Sequence, residues 1–481
     1  MVINLMNRIS LSKRVLLVVA VAVPLLVGFI SMNQVFGQFG ELLLPKPEEI
    51  TEYHCSGNPL PCIDPGDTAF MYTAAALVMI MTPGGVGFLY GGLTRRKNAA
   101  TVILQAFLVY AIVSIQWVIW GYSLTFGPDA TGHGFIGSFD WLGLNNVLHN
   151  APADVYAPSI PHIAFVMFQL MFAAITPALA VAGYADRVKM SAFMIHVVLW
   201  STFVYDFVGH WNWSLGSQGT SIGWLAALGA LDFAGGTVIH ITSGFAGLAS
   251  AMYIGRRIGY GKVPFTPHSI PFVLLGATLL WFGWFGFNPG SAGAAGALES
   301  QAFQNTNVAT AVAALWWMFL SWAHTGKTSA VGAASGAIAG LVAITPASGF
   351  VGTWASIIIG FAAGTVCFYC LLIKNRGRID DALDTWPIHG MGGVVGALLT
   401  GTFAEKRINP LGDDGIFFGN PMQLAENAAG AAAAAAWAFG ITLLIWKIQD
   451  VIWPGGVRVT PREEEIGLDI AQVGEKAYTE E

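Results

Sequence analysis

From about residue 68 to residue 453 the chain alternates long apolar runs with short polar connections. The runs fall at roughly 68–90, 101–125, 161–183, 190–207, 236–254, 271–288, 308–322, 329–345, 351–373, 384–403 and 424–452. Each approaches the ~20 residues that a helix needs to cross a hydrocarbon core ~30 Å thick. The pattern therefore predicts an all-α polytopic membrane protein with eleven transmembrane helices. A shorter apolar run, 15–30, stands behind Arg8, Lys13 and Arg14. That is the charged-then-apolar layout of a secretory signal, so residues 1–36 read either as a signal peptide or as an extra N-terminal helix. Residues 37–66 then form an extracytoplasmic segment, 67–453 the membrane domain and 454–481 a cytoplasmic tail.

Charge placement orients these spans. Alternate loops hold Arg95, Arg96 and Lys97, then Arg187 and Lys189, then Arg256, Arg257 and Lys262, then Lys327, then Lys374, Arg376 and Arg378, whereas the opposite set holds only Lys406 and Arg407. Basic loops stay cytoplasmic, which puts the mature N-terminus outside and the C-terminus inside. Five spans precede the loop near residue 262 and five more follow it before the last helix, which implies two repeats, and repeats of odd number are inverted. Ala230-Leu231-Asp232 leads to His240, and Ala382-Leu383-Asp384 leads to His389, with Asp381 repeating the eight-residue spacing. At 1.5 Å per residue each histidine lies roughly 12 Å from where its span enters, close to the midplane, approached from opposite sides.

Composition agrees with this picture and narrows it. Of 481 residues, 55% are hydrophobic and 10% charged, against about 25% charged in a typical soluble domain. Gly332, Gly336 and Gly340 form a small-residue ladder suited to close helix packing in lipid. A net charge of -6, without a basic stretch interleaved with aromatics, gives no support to a nucleic-acid partner. Cys55 and Cys62 bracket a Pro/Gly-containing loop and read as a disulfide in an oxidising compartment, the alternative being two free thiols. Cys367 and Cys370 fall inside an apolar helix, so no metal site is expected.

Ionisable residues within spans are costly and mark function by default, and transport sites in inverted repeats sit near the midplane. His240 and His389 could therefore partner each other as neutral imidazoles, a polar but uncharged lining. Two other readings stay open at this point: independently satisfied core histidines, or axial ligands of a haem.

Two segments, Asp232-Phe-Ala-Gly-Gly-Thr-Val-Ile-His240 and Gly283-Trp-Phe-Gly-Phe-Asn-Pro-Gly-Ser291, resemble signatures of the Amt/Mep/Rh ammonium transporter family, bacterial Amt branch. Phe88-Leu-Tyr-Gly-Gly-Leu93, Gly121-Tyr-Ser-Leu-Thr-Phe126, Pro264-Phe-Thr-Pro-His268 and Ile388-His-Gly390 follow in family order, and the likeness runs from about Asp67 to the C-terminus. The resemblance implies two inverted five-helix repeats around a central pore, no cofactor, and no enzymatic activity. It further implies ammonium recruitment by Trp213, Phe168, Phe172 and Ser291, a gate of Phe172 and Phe287, and ammonia passing His240 and His389 with its proton translocated separately. Aromatic faces attract a cation by about 0.5 to 2 kcal/mol each, and a serine oxygen accepts an N–H, so such a vestibule replaces hydration without a fixed anion.

Asp232 is implied to support the vestibule structurally, and Asp381 and Asp384 are expected as matching inner caps. Also implied are a homotrimer in the inner membrane and a tail, 454–481, that docks a PII-type signal protein. Val473 stands where that tail pattern usually has histidine. An ammonium sensor and a neutral Rh-like gas channel are the alternative functions.

Overall fold

The computed structural model describes residues 61–147, 151–153, 155–216 and 219–478. The expected signal peptide or extra helix, 1–36, lies outside the described residues. Of the expected Cys55–Cys62 pair, Cys62 is buried and disulfide-bonded, while Cys55 lies outside the described residues.

Among the described residues, nine helices are long and apolar enough to cross a membrane: Pro65–Leu93, Arg96–Phe126, His162–Gly183, Met190–Trp213, Gly236–Ile254, Ile270–Gly290, Ala297–Thr325, Thr353–Arg376 and Pro421–Ile452. Two shorter pieces occupy the remaining expected spans. One is Ala330–Ile344; the other is Trp386–Gly390, which continues as Met391–Phe403. In lipid the backbone must satisfy its own polar groups, which is why every crossing here is helical. Local chemistry sets the starts. Asp64, Ser269, Ser329 and Asn420 each cap the helix that follows by accepting a backbone N–H, and a proline opens the first turn after three of them, where its missing N–H costs nothing.

One helix departs from its apolar pattern. Hydrophobicity alone suggests a span at 308–322, yet the helix runs Ala297–Thr325. Its early polar residues are satisfied by tertiary partners: the Asn305 amide donates to the Ser348 and Val351 carbonyls at 2.9 and 2.7 Å. A buried polar residue in the third turn is tolerated because another segment's carbonyls meet it.

The two histidine-bearing helices pack reciprocally. The Gly236–Ile241 turn lies against Met391–Phe403, and the Trp386–Gly390 turn lies against Thr242–Ile254. That is the arrangement an inverted pseudo-two-fold produces. Gly244 and Gly390 make the approach possible, since a Cβ on Gly244 would sit 2.1 Å from the Gly390 nitrogen. Both histidines stand in wide helical turns; His240 N–H reaches back five residues to the Gly235 carbonyl at 3.2 Å. Wide turns of this kind recur where a helix places a functional side chain.

One face of the bundle is basic, and an ion-pair lattice ties its loops together. Asp380 receives Arg257 through Nη2 at 2.7 Å and Arg187 through Nη1 at 2.9 Å. Asp186 receives Arg95 Nε at 3.1 Å and Thr94 Oγ1 at 2.8 Å. The tail joins the same lattice. Glu464 accepts from Ile258 N at 2.6 Å and from Arg458 Nη2 at 2.8 Å, and Asp469 accepts from Ala100 N, Thr101 N and Thr101 Oγ1.

Candidate functional site

The imidazoles of His240 and His389 meet with Nδ1 atoms 3.3 Å apart and ring centres 5.4 Å apart. Both are buried. At that distance the two Nδ1 atoms share one proton, so one ring donates and the other accepts. The Nε2 atoms are then of opposite character, one a donor and one an acceptor, and together they can hydrogen-bond a small neutral molecule from either sense. His240 Nε2 is buried with no hydrogen-bond partner among the described residues. Such an orphan is rare in a satisfied core and fits a position kept for a passing ligand.

A column of rings rises from the histidines toward the face opposite the basic one. His240 lies 6.1 Å from Phe287, Phe287 is 4.3 Å from Phe172, and Phe172 is 4.8 Å from Phe168 and 6.2 Å from Trp213. Phe168, Phe172 and Phe287 are buried, while Trp213 and Ser291 are partly exposed. Ser291 Oγ donates its proton to the Phe287 carbonyl at 2.9 Å, leaving its lone pairs to accept. The helix brings Phe287 and Ser291 onto one side because they are four residues apart. The rings expected at the vestibule and gate thus fall in one contiguous stack, with Ser291 one helical turn beyond Phe287.

The expected supports separate into different types. Asp232 Oδ1 accepts from Gly235 N and Gly236 N at 2.9 and 2.7 Å, and Oδ2 from Thr237 N and Val238 N at 2.9 and 3.1 Å. One carboxylate therefore satisfies four of the free N–H groups of the helix that carries His240. Gly235 turns the chain with φ +111°, a region costly for any residue with a Cβ. The Asp232 carbonyl also accepts the Trp213 indole N–H at 3.0 Å, joining cap to vestibule. Asp381 caps the other histidine helix through Trp386 N at 2.7 Å. Asp384 differs from the cap expected of it: its carboxylate pairs with Lys374, and its backbone adopts φ +65°.

Charge surroundings push the neighbouring Asp380 and Asp381 in opposite directions. Burial works against the Asp380 carboxylate, but the Arg257 hydrogen bonds and the Arg187 charge outweigh it and hold its pKa below the usual range. Burial dominates at Asp381 and pushes it up to about 6, against the pull of Lys374.

Trp284 was not singled out by the sequence reading, although it lies inside a quoted signature segment. Its ring stacks on His240 at 5.3 Å, and its Nε1 donates to Thr345 Oγ1 at 2.9 Å. The signal was its spacing of three residues from Phe287. The Asp380–Arg257–Asp186–Arg95 lattice was equally invisible, since its members come from separate loops.

Comparison with known proteins identifies the family of the chain. The Ammonium Transporter Family profile matches residues 69–478. The chain is 44% identical over 414 residues to an ammonium transporter of Bacillus subtilis, covering 86% of this chain and 98% of that one. It is likewise 44% identical to ammonium transporter Amt1 of Archaeoglobus fulgidus, over 86% of this chain and 99% of that one. The crystal structure of Saccharomyces cerevisiae Mep2 superposes with a TM-score of 0.77 at 38% identity, over 83% of this chain and 91% of Mep2.

Proposed function

The chain belongs to the Ammonium Transporter Family, and from that premise we propose that it recruits ammonium at an aromatic vestibule, deprotonates it and conducts ammonia past two histidines. It is a multi-pass membrane protein whose substrate is ammonium. The observation that carries the mechanism is the unbroken stack Trp213, Phe172, Phe287, His240 and His389.

Trp213, Phe168 and Phe172 offer ring faces to a cation, and Ser291 offers lone pairs, so ammonium sheds part of its hydration there. Phe172 and Phe287, at 4.3 Å, close the path below. Moving a bare cation through such apolar packing costs many kcal/mol, and neutral ammonia far less, so the proton leaves at the gate. The rings must swing aside for passage. The opposite Nε2 characters of the two histidines then hold ammonia as acceptor and as donor along the lumen. The proton crosses separately, giving one net charge per ammonium. Asp232 acts by holding the helix and Trp213, and does not touch the substrate.

The reading extends to the assembly and setting: a homotrimer with one pore per subunit in the inner membrane, the basic face and C-terminus cytoplasmic. Residues 454–481 act as the regulatory tail for a PII-type protein. Supporting this, the tail is pinned by Asp469 and Glu464 to loops of the basic face.

The deciding measurement is current from proteoliposomes on a solid-supported membrane after an ammonium pulse, together with uptake of labelled methylammonium. Wild type should give a transient current, and His240→Ala should reduce it at least tenfold. Uptake without current would make the protein a neutral gas channel. Ammonium binding without uptake would make it a sensor. Unchanged uptake after replacing His240 and His389 together would remove the histidines from the path.

A further inference from the structure

Two cavities of unlike chemistry abut on the basic face and share Ala477 and Tyr478 as their common wall. The first, about 250 Å³, holds Arg96, Lys97 and Lys476. The second, about 430 Å³, is lined by Ala99, Ile103, Leu104, Phe107 and Phe272 beside the shared wall. Arg96 and Lys97 open the Arg96–Phe126 helix, and the apolar groove climbs the flank of the same helix. From Ala99 to Phe107 that flank rises about 12 Å into the membrane. Phe107 is 59% exposed in the chain by itself.

The charge in the first cavity is available to a ligand. Among the described residues that line it, the one acid is Asp469, which accepts from Ala100 N, Thr101 N and Thr101 Oγ1. Lys97 donates to the Glu464 and Glu465 carbonyls at 2.7 and 2.6 Å, leaving its third N–H free. Lys476 is exposed. The Arg96 guanidinium lies 5.1 Å over the Tyr478 ring, which leaves its N–H edges open. Tyr478 itself is anchored, its hydroxyl 3.0 Å from His268 Nε2. An amphipathic ring thus stands at the border between a cationic and an apolar compartment, as aromatic side chains do where headgroups meet acyl chains.

We infer that this paired cleft binds an anionic diacyl phospholipid, its phosphate held by Arg96, Lys97 and Lys476 and one acyl chain laid along Ala99, Ile103, Leu104 and Phe107. A free phosphate has no use for the groove, and a zwitterionic lipid brings no net negative charge to a cavity that holds three cations and one carboxylate. The bound lipid bridges the end of the tail, Lys476–Tyr478, to a membrane helix, so it stabilises the docked tail. The inference rests on the chain spanning a membrane with its basic face at the headgroup level, and not on the transport mechanism.

Native mass spectrometry of the purified full chain tests it by titration with phosphatidylglycerol, with phosphatidylcholine of the same acyl chains, and with inorganic phosphate. Phosphatidylglycerol should bind at least tenfold more tightly than phosphatidylcholine. Arg96→Gln with Lys476→Gln should remove that preference, and Leu104→Trp, which fills the groove, should weaken both lipids about tenfold. Each single charge variant should give an intermediate loss, which guards against misfolding of the double. Equal affinity for the two lipids would overturn the inference. So would phosphate competing fully with phosphatidylglycerol, or lipid binding untouched by Leu104→Trp. A change in subunit number on Leu104→Trp would assign the groove to contact between copies and overturn it too. Transport does not enter the readout, so failure here is separate from failure of the ammonium mechanism.

Discussion

The two histidine helices enter from opposite faces, and their caps are built differently. Asp232 meets four backbone N–H groups with its own two oxygens. Asp381 meets Trp386 N with one oxygen at 2.7 Å and sits between the charges of Lys374 and Asp384. Inverted symmetry thus repeats the position of the cap but not its work. The Asp232 end is a closed unit, satisfied by its own chain within six residues. The Asp381 end takes its stability from charges on other loops, above all the Arg187–Asp380–Arg257 cluster next to it. A helix held by its own cap stays put; one held by a lattice that includes the tail's neighbours responds to what happens there.

The largest effect should come from breaking the closed unit. Asp232→Ala leaves four N–H groups without their acceptor in a water-poor site, at about 1 kcal/mol or more each, so a loss of about 4 kcal/mol or more is expected. The check is thermal unfolding in detergent together with uptake. An unchanged melting temperature would show that the four bonds carry little. Because Trp213 donates to the Asp232 carbonyl, the vestibule should lose its geometry with the cap, and uptake should fall to background.

Next comes the lattice. Asp380→Ala strands two buried guanidinium groups, and breaking a buried pair from one side costs about 3 to 5 kcal/mol. Its pH signature follows from the depressed carboxyl pKa. The unfolded value is about 3.9, and the folded value lies lower, because the Arg257 bonds and Arg187 charge outweigh burial. The stabilisation is therefore complete above pH ~4 and fades as pH falls through the folded value. Melting curves of wild type and variant should differ most at neutral pH and converge under acid. A constant gap down to the lowest measurable pH would place the effect in packing instead of charge.

The smallest effect is expected at Asp381. Asp381→Asn keeps an oxygen for Trp386 N–H, so a loss of about 1 kcal/mol or less is expected at low pH. Here the folded pKa is raised, to about 6, by burial. With the unfolded value near 3.9, wild-type stability falls as pH climbs from about 4 to about 6 and is level above. The variant lacks that slope, so its deficit should shrink or reverse at pH 8. Parallel curves for the two proteins would contradict the contrast between the caps.

Much of this site was legible along the chain because its signals are local. The eight-residue interval from Asp232 to His240 and from Asp381 to His389 placed both imidazoles at one depth, and the 283–291 segment carried the gate ring and the serine on one helix side. What escaped was whatever depends on a partner from elsewhere. The early turns of the 297–325 helix look too polar to belong to a span until the Ser348 and Val351 carbonyls meet Asn305. Asp384 looked like a cap until Lys374 claimed it. Trp284 carries no mark of its own along the chain, and only the fold puts its ring on His240.

By itself the sequence determined that the chain crosses a membrane repeatedly, which loops carry the basic charge, and that two histidines share a depth. Those follow from transfer energies and a fixed helical rise, which need only the order of residues. Tertiary structure alone decided that the two Nδ1 atoms meet at 3.3 Å and that Phe172 covers Phe287. It also decided that the pKa values of two adjacent aspartates shift in opposite directions. The reason is that close approach and local field depend on the packing of helices distant in sequence, at positions such as Gly244 on Gly390, which no spacing along one chain specifies.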